Sequence, residues 1–165
     1  MKEKPRKKDE SIFSKNGYFK VIFYGLLIYL ITSVSFLFHP ISTLIKMGTT
    51  INLNNIKLIL MNEEILLRAR TYAFTTLGIS QLFHMVGMSN IKENLFNILK
   101  QKNTIRIIAF IVGISLQVLV TEIPFLIDVF KTTQLELSEW IWLILISIIP
   151  LIFHQLIRKS YKTGL

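Results

Sequence analysis

The chain has 165 residues, of which 52% are hydrophobic and only 18% charged, and this balance excludes a disordered chain and disfavours a soluble globule. The formal net charge is +9 with five cations among the first eight residues, which favours an anionic membrane surface over nucleic acid as the partner. Cysteine is absent, so disulfide scaffolds, thiol nucleophiles and cysteine-based zinc sites are excluded.

Four stretches approach the roughly 20 apolar residues that a helix needs to cross a bilayer. The first is Tyr18 to Phe38, the third is Ile107 to about Ile127, and the fourth is Trp140 to Ile157, in which Pro150 is expected to cause a kink. The second, Thr71 to Met88, contains Thr, Ser, Gln and His and would insert only marginally alone. We expect its polar groups to face the other spans. The sequence thus predicts an all-α protein, a four-helix transmembrane bundle.

The connections between the spans are too short to form a further domain. One apolar patch in the longest connection, residues 56–61, fits either an interfacial helix or a hairpin. We divide the chain into a basic cytoplasmic tail (1–17), a membrane domain (18–157) and a second cytoplasmic tail (158–165).

Four spans place both termini on one side of the membrane. That side carries fourteen Lys and Arg, Lys20 included, and the other side carries five. The positive-inside rule predicts that both termini are cytoplasmic. We expect an integral protein of the plasma membrane.

Amide and ionisable side chains at membrane depth cost free energy and are therefore functional candidates. Gln81 is the strongest, and His84 lies three residues later on the same helix face. The simpler interpretation is helix packing through hydrogen bonds, and a cation-ligand role for Gln81 is the alternative. His84 has no second His or carboxylate at i+3 or i+4, and His154 is expected at the membrane interface. Ala109 and Gly113, four residues apart on the third span, predict close helix packing.

One segment carries a specific family resemblance. The run from Ala69 to Leu77, followed by Gln81-Leu82-Phe83-His84 and Ser89-Asn90, resembles the eighth transmembrane helix of P-type cation pumps, the calcium-transporting ATPases especially. The resemblance extends over nearly the whole chain through flanking positions that include Pro5-Arg6, Glu93 to Phe96, Pro124, Phe130 and Trp140. The part of the family that the chain resembles is helices seven to ten of a ten-helix pump.

This resemblance implies a truncated or split pump. The phosphorylated Asp, the nucleotide-binding and actuator domains and the first six helices would belong to a separate N-terminal part. The chain is then no enzyme on its own and has no cofactor, while calcium or another cation would bind in the assembled pump. The family's eighth helix contributes a carboxylate or amide ligand, and Gln81 occupies the matching position. The last helix departs from the family pattern, with Gln155 and Arg158 where a Glu and a Lys are common.

The residues also leave room for a stand-alone four-span accessory or scaffold subunit without transport activity. A small proton-coupled exporter is disfavoured because the first span contains no carboxylate. Phosphate-loop, nucleophile-elbow and zinc-protease motifs are absent from the sequence. The lipid bilayer is the expected partner in both interpretations, and nucleic acid in neither.

Overall fold

A computed structural model describes the backbone of residues 15–88 and 104–163 and the side chains of residues 17–88 and 104–157. Every regular element in these ranges is a helix, so the predicted all-α class is confirmed. The basic tail before residue 15, the predicted cytoplasmic turn at 93–96 and the side chain of Arg158 lie outside the described residues. The helices within the described ranges are α1 (Lys15–Lys46), α2 (Leu53–Ile59), α3 (Glu63–Met88), α4 (Thr104–Glu122), α5 (Pro124–Phe130), α6 (Leu137–Ser147) and α7 (Ile149–Thr163).

Helix α1 continues eight residues beyond the Phe38 at which the sequence placed the end of the first span. It contains Pro40, which membrane helices tolerate when neighbouring groups compensate for the lost N–H. The N–H that Pro40 lacks would have donated to the Phe36 carbonyl. One turn on, the hydroxyls of Ser42 and Thr43 both donate to the His39 carbonyl at 2.9 Å, which adds hydrogen bonds to the helix beside the proline. The helix ends where Gly48 adopts a positive φ of 67°, a conformation that costs glycine little.

The apolar patch after α1 forms the short helix α2 rather than a hairpin. Asn52 caps it, because its Oδ1 accepts from the Asn55 backbone N–H at 2.7 Å. Ile59 is buried, whereas Leu53, Leu58 and neighbouring apolar residues are exposed. Of the two alternatives left open by the sequence, the structure therefore selects the helix.

The third predicted span is wrong at its C-terminal end. Helix α4 ends at Glu122 rather than near Ile127, because Ile123 is extended and Pro124 begins the separate helix α5. A proline fits this first helical position, where its missing N–H has no intrahelical partner. Lys131, with a φ of 53°, ends α5 in the left-handed conformation.

The fourth span is interrupted at Ile148, two residues before Pro150, at which we expected a kink. Pro150 has no N–H to donate to the Ile146 carbonyl, so the regular helical ladder cannot pass through this point. The two halves, α6 and α7, together still extend from Leu137 to Ile157 as one apolar segment long enough to cross a membrane. Glu136 and Glu139 form a reciprocal capping box at its beginning.

Helix α3 is the centre of the bundle and packs against α1, α4, α6 and α7. The contacts give an up-and-down order, since Tyr24 near the beginning of α1 meets His84 near the end of α3. Gly113 and Gln117, in that order along α4, meet Leu82 and Gly78 in the reverse order along α3. His154 of α7 also meets Tyr24, which brings the beginning of α1 and the last helix to the same end of the bundle.

In the described ranges, three segments are long and apolar enough to span a membrane: Gly17–Lys46, Thr104–Glu122 and Leu137–Ile157. Their outward surfaces carry large apolar side chains, for example Phe19 at 80% exposure. Helix α3 is less apolar than these segments, as its polar composition led us to expect. Its 26 residues nevertheless extend about 39 Å at 1.5 Å per residue. It is the fourth long helix, and the other three pack against it on all but one face.

Candidate functional site

The buried face of α3 is built from small and polar side chains. Asn62 caps the helix through bonds from the Glu64 and Ile65 backbone N–H groups at 3.0 and 3.2 Å. Downstream, the side chains that the neighbouring helices enclose include Thr71, Thr75, Thr76 and Ser80, each fully buried. Small hydroxyl residues allow helices to approach closely in lipid, where the hydrophobic effect does not drive their association.

Hydroxyl groups connect three helices near the middle of the bundle. Thr76 Oγ1 donates to Ser35 Oγ of α1 at 2.8 Å, and Ser35 donates to the Ile31 carbonyl at 3.0 Å. Ser147 of α6 donates to the Leu143 carbonyl at 2.6 Å and lies 3.4 Å from the Thr76 carbonyl. Each hydroxyl is fully buried and has a partner, so this cluster is a satisfied packing contact.

Gln117 of α4 inserts its amide against α3. Its Nε2 donates to Thr75 Oγ1 at 3.2 Å, and its Oε1 occupies the space that a side chain at Gly78 would fill. One turn further along the interface, Gly113 lies against the Leu82 side chain so closely that a Cβ atom would collide with it. Ala109, the other member of the predicted small-residue pair, is exposed.

An ion pair and a tyrosine join the beginnings of α3 and α6. Arg68 Nη1 lies 2.6 Å from Glu139 Oε1, and the Tyr72 hydroxyl donates to the same oxygen at 2.5 Å. The second Glu139 oxygen accepts from the Glu136 backbone N–H at 2.7 Å. Glu139 is only 13% exposed, and its charge is balanced by these three donors.

A histidine pair closes the opposite end. His84 Nδ1 and His154 Nε2 are 3.0 Å apart, and the Tyr24 ring stacks on His154 with centroids separated by 4.0 Å. Gly87 permits this approach, since a Cβ at that position would collide with the His154 ring. The structure thus places His84 at the contact between α3 and α7.

One face of α3 has no neighbour among the described residues. It is an exposed stripe along successive turns, made of Arg70, Phe74, Leu77, Gln81 and Met88. The Gln81 amide makes no hydrogen bond within the described residues. The structure therefore separates two residues that the sequence placed on one face: His84 turns towards α7, and Gln81 points away from the bundle.

Gln81 would need ligands from outside the described chain to bind a cation. No group of three or more His, Asp or Glu side chains that could hold a metal ion occurs within the described ranges. An amide oxygen is nevertheless a normal ligand for calcium, which takes six to eight oxygen atoms. The stripe can therefore supply one oxygen of a shared site and no complete site.

Several residues that pack against α3 or permit close packing on it were not predicted from the sequence. Gln117 carried a usable signal, because an amide within an apolar span is costly without a partner. Gly78 and Gly87 gave no comparable signal, since a glycine in a membrane helix is common. The partnership of His84 with His154 crosses 70 residues of sequence, and only the packing of α7 on α3 brings it about.

Comparison with known proteins assigns this arrangement of helices to a family. The family described as "Cation transporting ATPase, C-terminus" matches residues 1–160, and the chain belongs to it. The resemblance found in the sequence is thereby confirmed.

Among individual proteins, calcium-transporting ATPase 1 of Bacillus cereus (strain ATCC 10987 / NRS 248) is 34% identical to the chain over 162 residues. This alignment covers 98% of the chain but only 18% of the relative. The chain thus spans less than a fifth of the length of a complete ATPase of this kind.

Proposed function

We propose that the chain supplies the C-terminal transmembrane helices of a calcium-transporting P-type pump and that Gln81 is one of its cation ligands. The phosphorylation and nucleotide-binding domains and the remaining helices come from the N-terminal part of the pump. In this assignment α1, α3, α4 and the joined pair α6–α7 correspond to the family's last four helices. Calcium is the proposed ion because the matched relative is named for calcium transport.

The exposed stripe on α3 is the observation that supports this function. All three hydroxyl residues of the middle of the helix, Thr75, Thr76 and Ser80, are buried within this chain, whereas the Gln81 amide is exposed between Leu77 and Met88. An amide facing lipid without a partner is unfavourable, so the stripe is suited to further protein rather than to acyl chains. The first six helices of the pump are the proposed occupants.

Gln81 contributes a neutral oxygen, and charged ligands would come from the other helices. A Leu at this position removes the oxygen, whereas a Glu retains an oxygen and adds a negative charge. Gln117 offers the complementary case, because its amide is buried inside the bundle and already bonded to Thr75. A ligand and a packing residue of the same type can therefore be compared in one chain.

The test is coexpression of the chain with the N-terminal part of a calcium pump, followed by measurement of calcium affinity and complex yield. Gln81→Leu should lower calcium affinity with little loss of complex, and Gln81→Glu should retain binding with altered pH dependence. Leu77→Ala, on the same stripe but without a ligand atom, is the matched control. Unchanged calcium affinity in Gln81→Leu at matched yield would reduce the chain to a scaffold, which is the second candidate function.

The purified chain alone should form no phosphoenzyme with ATP. Its only aspartates are Asp9 and Asp128, and neither begins the Asp-Lys-Thr-Gly-Thr sequence of the pumps. Hydroxylamine-labile phosphate on the purified chain would contradict this assignment.

We place the bundle in the plasma membrane with both termini cytoplasmic. The charge asymmetry of the connections supports this orientation, as does the meeting of α1 and α7 at one end of the bundle. Because the chain has no cysteine, single substitutions give a clean test. A cysteine at exposed Gln134 should react with an impermeant thiol reagent in intact cells, whereas cysteines at Ser11 and Ser160 should not. Thr132, which is only 3% exposed, provides a slow-reacting control in the same connection as Gln134.

A further inference from the structure

Two histidines from helices far apart in sequence meet at the end of the bundle where α1 begins. His84 Nδ1 and His154 Nε2 are 3.0 Å apart, and Tyr24 covers both rings with centroid distances of 4.8 and 4.0 Å. The proposed role of Gln81 does not involve this pair.

We propose that His84 and His154 form a binding site for a borderline divalent transition-metal ion, such as Ni²⁺, Cu²⁺ or Zn²⁺, that links α3 to α7. Imidazole nitrogen is a preferred ligand for these ions. A bound ion would replace the direct contact between the two rings by two metal–nitrogen bonds.

The separation of the two nitrogens suits ligands of one ion. With metal–nitrogen bonds of about 2.0–2.1 Å, two cis nitrogens lie about 2.9 Å apart at a right angle and about 3.3 Å apart at the tetrahedral angle. The observed 3.0 Å falls between these values. In the neutral pair one ring donates its N–H to the other. Metal binding moves that proton to the far nitrogen of the donor ring, so no net proton is lost.

The surroundings leave an ion accessible while fixing the rings. Both histidines are half-buried, and they lie four residues before the end of α3 and three residues before the end of the candidate span Leu137–Ile157. Water at this depth can occupy the other coordination positions. Gly87 provides the space for the His154 ring, and Tyr24 packs against both rings.

The donor set determines which ions can bind. Calcium and magnesium prefer oxygen ligands, so a pair of imidazoles selects against the cation proposed for Gln81. The site is therefore independent of the proposed transport function. Lys20 lies one helical turn before Tyr24 on α1, so its positive charge is near the pair and should weaken the binding of a cation.

Calorimetric titration of the purified full chain in detergent with Ni²⁺ alone tests the site. The wild-type chain should bind one ion and melt at a higher temperature with the metal than without it. His84→Gln and His154→Gln should each weaken binding at least about tenfold. His39→Gln removes the third histidine of the chain and should bind as the wild type does. Absence of binding by the wild type, or equal binding by the double His84→Gln, His154→Gln variant, would overturn the proposal.

Two further variants keep both imidazoles and so test the geometry even if a histidine variant folds poorly. Gly87→Ala should weaken Ni²⁺ binding because the new methyl group displaces the His154 ring. Lys20→Gln should strengthen binding, and most clearly at low salt. Wild-type affinity in Gly87→Ala, or competition by an equal concentration of Ca²⁺, would show that the ion binds elsewhere.

Discussion

The buried face and the exposed stripe of α3 belong to one helix but differ in what satisfies their polar groups. On the buried face, Thr76 and Thr75 are bonded to Ser35 and Gln117 of neighbouring helices. On the stripe, Gln81 has no such partner within the described residues. This difference shows that polarity alone does not identify a ligand in a membrane helix. Most polar side chains on the buried face of α3 form hydrogen bonds that pack the helices together.

The largest effect should come from comparing two arginines near the beginning of α3. Arg68 pairs with Glu139, whereas Arg70 belongs to the exposed stripe. Arg68→Met leaves the partly buried carboxylate without its cation and should lower the free energy of unfolding by about 2–3 kcal/mol, at or just below the range for a fully buried pair, because both side chains are partly exposed. Thermal and denaturant unfolding in detergent would measure this loss. Arg70→Met should change stability far less, and equal losses would remove the distinction between the two faces.

A smaller effect is expected for glycines on and off the helix contacts. Gly113 faces Leu82 of α3, whereas a side chain at Gly25 would meet no atom within 4 Å. Gly113→Leu should therefore overpack the interface and destabilise the bundle by about 2 kcal/mol. Gly25→Leu is the control and should be close to neutral in the same unfolding assay. A neutral Gly113→Leu would contradict the close approach of α3 and α4.

The smallest effect separates the two glutamines by stability alone. Gln117→Leu removes one interhelical hydrogen bond and should cost about 0.6 kcal/mol on average, and at most about 1.7 kcal/mol. Gln81→Leu removes no hydrogen bond to the part of the chain that the structure describes, so the isolated bundle should be unaffected or slightly stabilised. Unfolding of both variants in the same detergent provides the measurement. A larger loss for Gln81→Leu than for Gln117→Leu would reverse the assignment of packing and ligand roles.

The helical class and the central position of the second span could be predicted because both follow from composition. A marginal span has to be enclosed by more apolar ones. The helix ends were less predictable, since Pro40 is accommodated inside α1 whereas Pro124 begins a new helix. That outcome depends on the local backbone conformation, such as the extended Ile123, rather than on the presence of proline.

The rotation of α3 could not be derived from its sequence. Thr75, Thr76 and Ser80 compete with Gln81 and His84 for the interior, and apolar residues occur on every side of the helix. Contacts with other helices decide the orientation, among them the insertion of Gln117 beside Gly78 and of His154 beside Gly87. The family resemblance proposed Gln81 as a ligand position, but it could not say that this amide would have no partner among the described residues.

The interruption at Ile148 has a mechanical consequence. Glu139 and Ser147 of helix α6 bond to α3, and His154 of α7 contacts His84 of α3. Because Pro150 removes one hydrogen bond of the helix between these contacts, α6 and α7 can change their angle at this joint instead of moving as one rigid helix. A tilt of α6 at the Arg68 end therefore need not be passed on to α7 and the histidine pair.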